Sequence, residues 1–324
     1  MHSYKCKYTN RLLTANNYNN YLNTPIHNWQ KDLLKTGISH SHNLTVSTGT
    51  KKSRTLFSVN YVYDDGTVIN SYYQRFNASL KTTQYITDNL NLDLNVSYNN
   101  SKSENKSSEI TAYQYRAVEP LGNGNNYAGF GNGLSYVDKA YNPIDLANDS
   151  EPFSLTHNFR AIGSLNWVPV QGLTLRTELG LQGSFGRSES YTAGKAGNNS
   201  NTASISRSES NRLNWTTTAS YQLPIKNENH RADIMLGNEI RMTDGSSSSM
   251  NGKDYPSNFT RETTFAFIDQ YITDGKFSTS YNTPGRQISF FGRANYTLMD
   301  RYMFTATVRA DGSPNFPAPA KQSM

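Results

Sequence analysis

The sequence is poor in cysteine, in long apolar runs and in apolar residues generally. It contains a single cysteine, Cys6, which excludes an internal disulfide and any site built from several thiolates. No run of 18 apolar residues occurs, so no segment reads as a membrane-crossing helix. The opening stretch, MHSYKCKYTNRLL, lacks the apolar core of a secretory leader. Taken alone, that points to a soluble protein or to a piece of a longer one. Apolar residues make up only 35 % of the chain, below the share of an ordinary globular domain. The 31 basic and 25 acidic residues leave a net charge of +6, but they are scattered, with no compact basic run, so nucleic acid is not an expected partner. There is no nucleophile elbow and no cluster of candidate ligands. No enzyme, cofactor or metal is therefore expected.

Aromatic residues and glycine, by contrast, are plentiful: 22 Tyr and 22 Gly in 324 residues. Disordered chains are poor in aromatics, so the low apolar share points instead to long alternating strands and polar loops. The clearest example runs from Ile288 to Asp311. Its first arm sets Ile288, Phe290, Gly292, Ala294 and Tyr296 against Ser289, Arg293, Asn295 and Thr297, with Phe291 as the exception. After Leu298-Met299-Asp300-Arg301 the second arm sets Tyr302, Phe304, Ala306, Val308 and Ala310 against Met303, Thr305, Thr307, Arg309 and Asp311. This is a hairpin with one apolar and one polar face. Arms of about ten residues suit tilted strands crossing a bilayer.

The same rule finds eight more strands: Asn43–Gly49, Thr55–Asp64, Arg75–Lys81, Asn89–Asn99, Phe159–Trp167, Leu173–Gln182, Leu213–Tyr221 and Ala232–Arg241. Their connections alternate between short turns and the long polar stretches Asp65–Tyr73, Asn100–Thr156, Gly186–Asn211 and Thr243–Gln287. Lys81, Asp93, Arg176, Glu178, Glu239, Arg293 and Arg309 all fall on the polar faces. An Arg or Lys facing lipid costs about 2–4 kcal/mol at the bilayer midplane. The expected fold is all-β, an antiparallel up-and-down transmembrane β-barrel segment of about ten strands. A soluble or surface-attached β-sandwich that binds glycans without transport is the alternative.

Local clusters carry little chemistry. His40 and His42 share a strand face but have no third ligand beside them, so a structural role is expected. Gly122-Asn123-Gly124 and Gly129-Phe130-Gly131-Asn132-Gly133 lack the flanking strand and helix of a phosphate loop. Asp64-Asp65-Gly66 and Asp311-Gly312 read as turns rather than as catalytic carboxylates. The candidate binding residues are the rings of the longest connection: Tyr113, Tyr115, Tyr127, Phe130, Tyr136 and Tyr141. Set among Asn and Asp, they suit a sugar or a peptide, although such rings also pack a loop onto itself.

Four sets of motifs follow one another along the chain: Asn28-Trp29 with His42-Asn43-Leu44-Thr45-Val46-Ser47-Thr48-Gly49; Tyr61-Val62-Tyr63-Asp64-Asp65-Gly66-Thr67-Val68-Ile69-Asn70-Ser71 with Tyr73-Gln74-Arg75-Phe76-Asn77; Asn142-Pro143; and Ser289-Phe290-Phe291-Gly292-Arg293-Ala294-Asn295-Tyr296 with Asp300-Arg301-Tyr302 and Arg309-Ala310-Asp311-Gly312-Ser313. Together, in that order, they resemble the barrel of the SusC/RagA-type TonB-dependent outer-membrane receptors of Bacteroidetes. The resemblance covers roughly residues 20–316. It implies a 22-stranded parent barrel, an outer-membrane location in contact with lipid, a SusD-like surface lipoprotein and a TonB complex acting through a plug. It also implies import of an oligosaccharide or peptide. No signal peptide or plug is visible in the chain, so a fragment not competent alone is expected. The organisation expected is a polar lead-in over 1–36, a partial barrel over 37–316 and an unrelated or truncated tail over 317–324.

Overall fold

The computed structural model describes residues 28–106, 144, 147–148, 150–192, 201–227, 229–256, 258–271 and 277–313. Ten strands form one sheet, each paired antiparallel with the next in sequence. They are β1 (Ser39–Gly49), β2 (Ser53–Asp65), β3 (Tyr72–Thr87), β4 (Leu90–Glu104), β5 (Ser150–Val170), β6 (Leu173–Thr192), β7 (Asn201–Gln222), β8 (His230–Tyr255), β9 (Phe277–Leu298) and β10 (Tyr302–Gly312). All ten strands read from the alternation are present. A sandwich needs a second sheet over the apolar face, and every described strand belongs to this single sheet, so the sandwich alternative is set aside.

The expected boundaries fall short at one end. Gly186–Asn211 and Thr243–Gln287, read as loops, are largely strand: β6 continues to Thr192, β7 begins at Asn201, and β8 runs for 26 residues. Apolar alternation ends there, while the backbone ladder goes on. Arg187 lies opposite Arg207, and Ser208 opposite Ser247, with serine on one face and charge on the other. A strand that leaves the apolar zone has no apolar face to betray it.

Register brings the apolar residues of all ten strands to one face. Leu80 lies opposite Val96, Val96 opposite Ala161, Ala161 opposite Leu181, Leu181 opposite Leu213 and Leu213 opposite Met242. These side chains are not packed into a core: Leu236 is 63 % exposed, Phe290 58 % and Val308 70 %. Two small buried clusters are described, and both lie at the end of the long connections. In the first, helix α1 (Trp29–Leu33) is capped by Asn28, whose Oδ1 accepts from Lys31 N at 3.1 Å, and places Trp29 and Leu33 against Val68 and Ala147. In the second, helix α2 (Arg261–Ala266) and the turn of 3-10 helix that follows it (Ile268–Tyr271) belong to a segment packed against Ala203 of β7 and Tyr255 of β8. The short turns lie at the opposite end. In the last of them Met299 and Asp300 both take φ 53°, the positive values that a tight hairpin connection calls for.

Candidate functional site

The face opposite the apolar one is a polar wall, built because period-two alternation keeps the charged strand residues of the apolar zone on that side, with Arg286, opposite Met242 at the outer edge of the zone, as an exception. Direct strand partners arrange it in rows. One row crosses β1 to β5 as Asn43, Asn60, Asn77, Asn99 and Asn158. Their amides join hand to hand: Asn77 Nδ2 donates to Asn60 Oδ1 at 3.2 Å, Asn99 Nδ2 to Asn77 Oδ1, and Asn158 Nδ2 to Asn99 Oδ1 at 3.3 Å. An amide has both donors and an acceptor, so one residue type can propagate such a chain across a sheet.

A second row lies nearer the short turns. From β4 to β10 it reads Asp93, Ser164, Glu178, Thr216, Glu239, Ser289 and Asp311, carboxylate and hydroxyl in strict alternation. Arginines from neighbouring rows answer the carboxylates. Arg176 pairs with Glu178 at 2.5 Å, Arg241 with Glu239 at 3.0 Å, and Arg309 with both Glu239 at 2.9 Å and Asp311 at 2.8 Å. Asp93 accepts from Thr83 at 2.6 Å and from Asn166 at 2.9 Å. Phe291, an apolar ring on this face, also finds its reason here. A Cβ on its partner Gly237 would lie 2.5 Å from the Phe291 ring, so the ring fills the space the glycine leaves, and the Arg309 guanidinium lies 5.6 Å above it. A cavity of about 820 Å³ opens on this wall, lined by Arg54, Lys81, Asp93, Ser164, Arg176 and Glu178 among others.

Beyond the apolar zone the faces exchange chemistry. The polar wall continues as serines, among them Ser188, Ser206, Ser208, Ser247 and Ser249, while charge moves to the other face as Lys102, Arg187, Glu189, Arg207 and Glu209. There Glu189 is buried between Arg187 and Arg261, the latter at 2.8 Å, and Arg261 also reaches Glu151 at 2.8 Å, which holds α2 against the sheet. Lys106, buried just past the end of β4, donates its backbone N–H to Ser71 Oγ at 3.1 Å and its ammonium to the Ser150 carbonyl. Burial lowers its pKa below the usual lysine value, against the opposing pull of Glu104 and Glu151. Burial first, and then Asp269, raises the Tyr255 phenol, which donates to the Ile268 carbonyl at 3.2 Å.

The sequence-derived candidates are distributed unevenly over this picture. Tyr113, Tyr115, Tyr127, Phe130, Tyr136 and Tyr141 lie outside the described residues, as do the two glycine-rich runs. His40 and His42 stand on the apolar side with ring centroids 5.1 Å apart, and His40 stacks on Tyr63 at 5.4 Å. Asp65 ends β2 and pairs with Lys35 at 2.7 Å. The asparagine ladder and the carboxylate–hydroxyl row were missed by sequence reasoning. Each strand contributes one unremarkable polar residue, and only the register aligns them.

A single up-and-down sheet, apolar on one face and ion-paired on the other, is the wall of a transmembrane β-barrel. No family model matches the chain. It is 26 % identical over 314 residues to TonB-dependent receptor P3 of Formosa agariphila, covering 92 % of this chain and 30 % of the relative. It is 24 % identical over 324 residues to TonB-dependent receptor SusC of Bacteroides thetaiotaomicron, covering 91 % of this chain and 31 % of that one. The chain thus spans about a third of the length of the curated relatives it matches. Among solved structures, the RagAB peptide transporter superposes with a TM-score of 0.73 at 18 % identity, over 94 % of this chain and 36 % of that one. FpvA of P. aeruginosa, solved with pyoverdines, gives 0.53 at 11 % identity, over 87 % and 37 %. The fold is therefore that of a TonB-dependent receptor barrel segment, of an outer-membrane protein. Within that class the chain is similar to SusC in sequence and to RagAB in fold, in line with its motifs.

Proposed function

We propose that the chain forms part of the wall of an outer-membrane nutrient importer. Its apolar face meets lipid, its polar wall lines the lumen, its short turns face the periplasm and its long connections face outward. The observation that carries the reading is the register. Ten strands gather most of their apolar residues on one exposed face and, Arg286 at the outer edge apart, keep charge within that zone on the other. Substrate taken up from outside is an oligosaccharide or a peptide, captured with a SusD-like lipoprotein and released inward when a TonB complex acts on a plug. The SusC relative and the RagAB neighbour support this assignment. The chain works as a barrel portion over 37–316, with 1–36 as lead-in and 317–324 as tail, and is not a transporter by itself.

Expression into outer membranes tests the reading. The chain should leave the membrane fraction only with detergent and show a heat-dependent shift in gel mobility. Recovery as a water-soluble folded monomer would overturn it. TonB-dependent uptake by this chain alone would overturn the statement that it does not transport unaided.

A further inference from the structure

The short-turn mouth of the lumen wall carries two cations, Arg54 and Lys81, that make no ion pair among the described residues, although Asp93 stands diagonal to Lys81 on β4. Arg54 of β2 lies opposite Thr83, and Lys81 of β3 lies opposite Leu56, so the two cations are diagonal neighbours on adjacent strands. Both are exposed and both line the cavity of about 820 Å³. Among the described residues neither has an ion-pair partner. The acids lining the same cavity already have donors: Asp93 takes Thr83 on Oδ1 and Asn91 and Asn166 on Oδ2, and Glu178 takes Arg176. Asp88, in the neighbouring turn, does not line it. Lys51 and Lys52 occupy the β1–β2 turn directly below, both exposed, and the Lys52 carbonyl accepts from Tyr85 N at 2.9 Å, which ties that turn to β3. The Arg54 guanidinium sits 5.8 Å above the Tyr85 ring. A cation over an aromatic face still presents its N–H edge to an anion.

We propose that Arg54 and Lys81, backed by Lys51 and Lys52, form a docking site for an acidic polypeptide segment entering the lumen at its short-turn mouth. The proposal rests on the barrel reading above. Three observations favour this occupant. The cations belong to the polar wall, whereas their strand neighbours Phe57 and Leu80 face the opposite way, so the site looks into the lumen rather than at lipid. Diagonal neighbours on paired strands lie roughly 7–8 Å apart. Alternate residues of an extended chain lie about 6.8 Å apart on one face, so carboxylates at positions i and i+2 match the pair. The cavity, at about 820 Å³, also leaves room for such a segment.

The test uses the full chain refolded in detergent, with the heat-dependent gel shift as an independent check of the barrel. A dye-labelled peptide of alternating Glu and Ser is titrated by fluorescence anisotropy against the same peptide with Gln in place of Glu. The Glu peptide should bind about fivefold or more tightly, with a preference that fades as salt rises. The double variant Arg54→Gln, Lys81→Gln should abolish the preference and keep the gel shift. Arg160→Gln, Arg212→Gln, which removes two cations elsewhere on the same wall, should leave it intact. Equal binding of the two peptides overturns the proposal, as does a preference that survives the Arg54 and Lys81 changes or is lost equally with Arg160 and Arg212. Displacement by inorganic phosphate at matched ionic strength would make it a simple anion site. Displacement by phosphatidylglycerol vesicles would assign the cluster to the membrane surface. Either result overturns it, and a missing gel shift removes the barrel reading and this site together.

Discussion

Arg309 Nη2 donates to Glu239 Oε2 at 2.9 Å, from β10 to β8 across the whole width of β9. The reach is possible because the guanidinium passes over the Phe291 ring, itself seated in the space left by Gly237. Beneath this bridge Ser289 is only 1 % exposed, although it lies on the open wall. Arg309→Met should therefore loosen the β9–β10 hairpin by more than the loss of a solvated ion pair. The check is a double-mutant cycle with Glu239→Gln, read as the temperature at which the folded gel band disappears. The two changes should be markedly non-additive, because Glu239 also holds Arg241 at 3.0 Å. Simple additivity would show that the bridge carries no coupling.

The assignment of faces makes a sharper prediction. Leu179 is 44 % exposed on the apolar face, and its direct partner Trp215 adjoins Thr216, which stands on the wall between Glu178 and Glu239. Leu179→Arg should destabilise the folded barrel by about 2–4 kcal/mol in a bilayer. Thr216→Arg, at nearly the same depth, meets two carboxylates and should be tolerated. Urea unfolding in lipid vesicles separates the two, and equal losses would contradict the orientation.

How much of this was legible in the sequence depends on what each element buries. The ten strands announced themselves wherever an apolar face alternated with a polar one, and the hairpin from Ile288 to Asp311 was read with its turn in place. Helix α1 leaves its own signal in the sequence, an Asn28 cap ahead of Trp29 and Leu33. The outer halves of β6 to β9 were not seen, because Ser188, Ser190, Ser206 and Ser208 alternate with Arg187, Glu189, Arg207 and Glu209, and a search for apolar period two passes over them. A search for period two in serine would have found both strands. The basic cluster was passed over for a different reason. Lys51, Lys52 and Arg54 make a short run whose fourth member, Lys81, is brought alongside by the β2–β3 register. The asparagine ladder was hidden more deeply still, since its hydrogen-bonded members stand 17, 22 and 59 residues apart in sequence.

Two buried groups at the outer end should move stability with pH in opposite directions. For Lys106 the folded pKa lies below the ordinary 10.5, so the unfolded chain holds more protons between the two values. Stability of the region it ties together should rise with pH through that window and fall as pH drops through the folded pKa. For Tyr255 the folded pKa lies above the ordinary 10.0, so the folded chain keeps a proton that the unfolded one has lost. The packing of α2 should therefore weaken as pH climbs above 10.0. Tryptic cleavage after Arg261 reports on the second effect, and Tyr255→Phe should remove its pH dependence. Hydrogen exchange at the Lys106 amide, which is bonded to Ser71, reports on the first. Parallel trends at both sites would refute the assignment.

The asparagine ladder gives the last test, because its worth lies in continuity rather than in any one bond. Asn77 sits in the middle, donating to Asn60 at 3.2 Å and accepting from Asn99. Asn77→Ala removes both bonds and leaves two half-buried amides short of a partner, which should cost about 1–2 kcal/mol. Asn158 stands at the end of the chain of amides and donates only to Asn99 within it, at 3.3 Å, so Asn158→Ala should cost roughly half as much. Asn77→Gln keeps the amide but lengthens its reach, and a ladder that depends on strand spacing should not accept it without loss. If each amide acted alone and was replaced by water on removal, the central and terminal changes would be equal, and Asn77→Gln would be neutral. Unfolding midpoints of the three variants, measured in the same detergent, decide between a cooperative strip and a row of independent side chains.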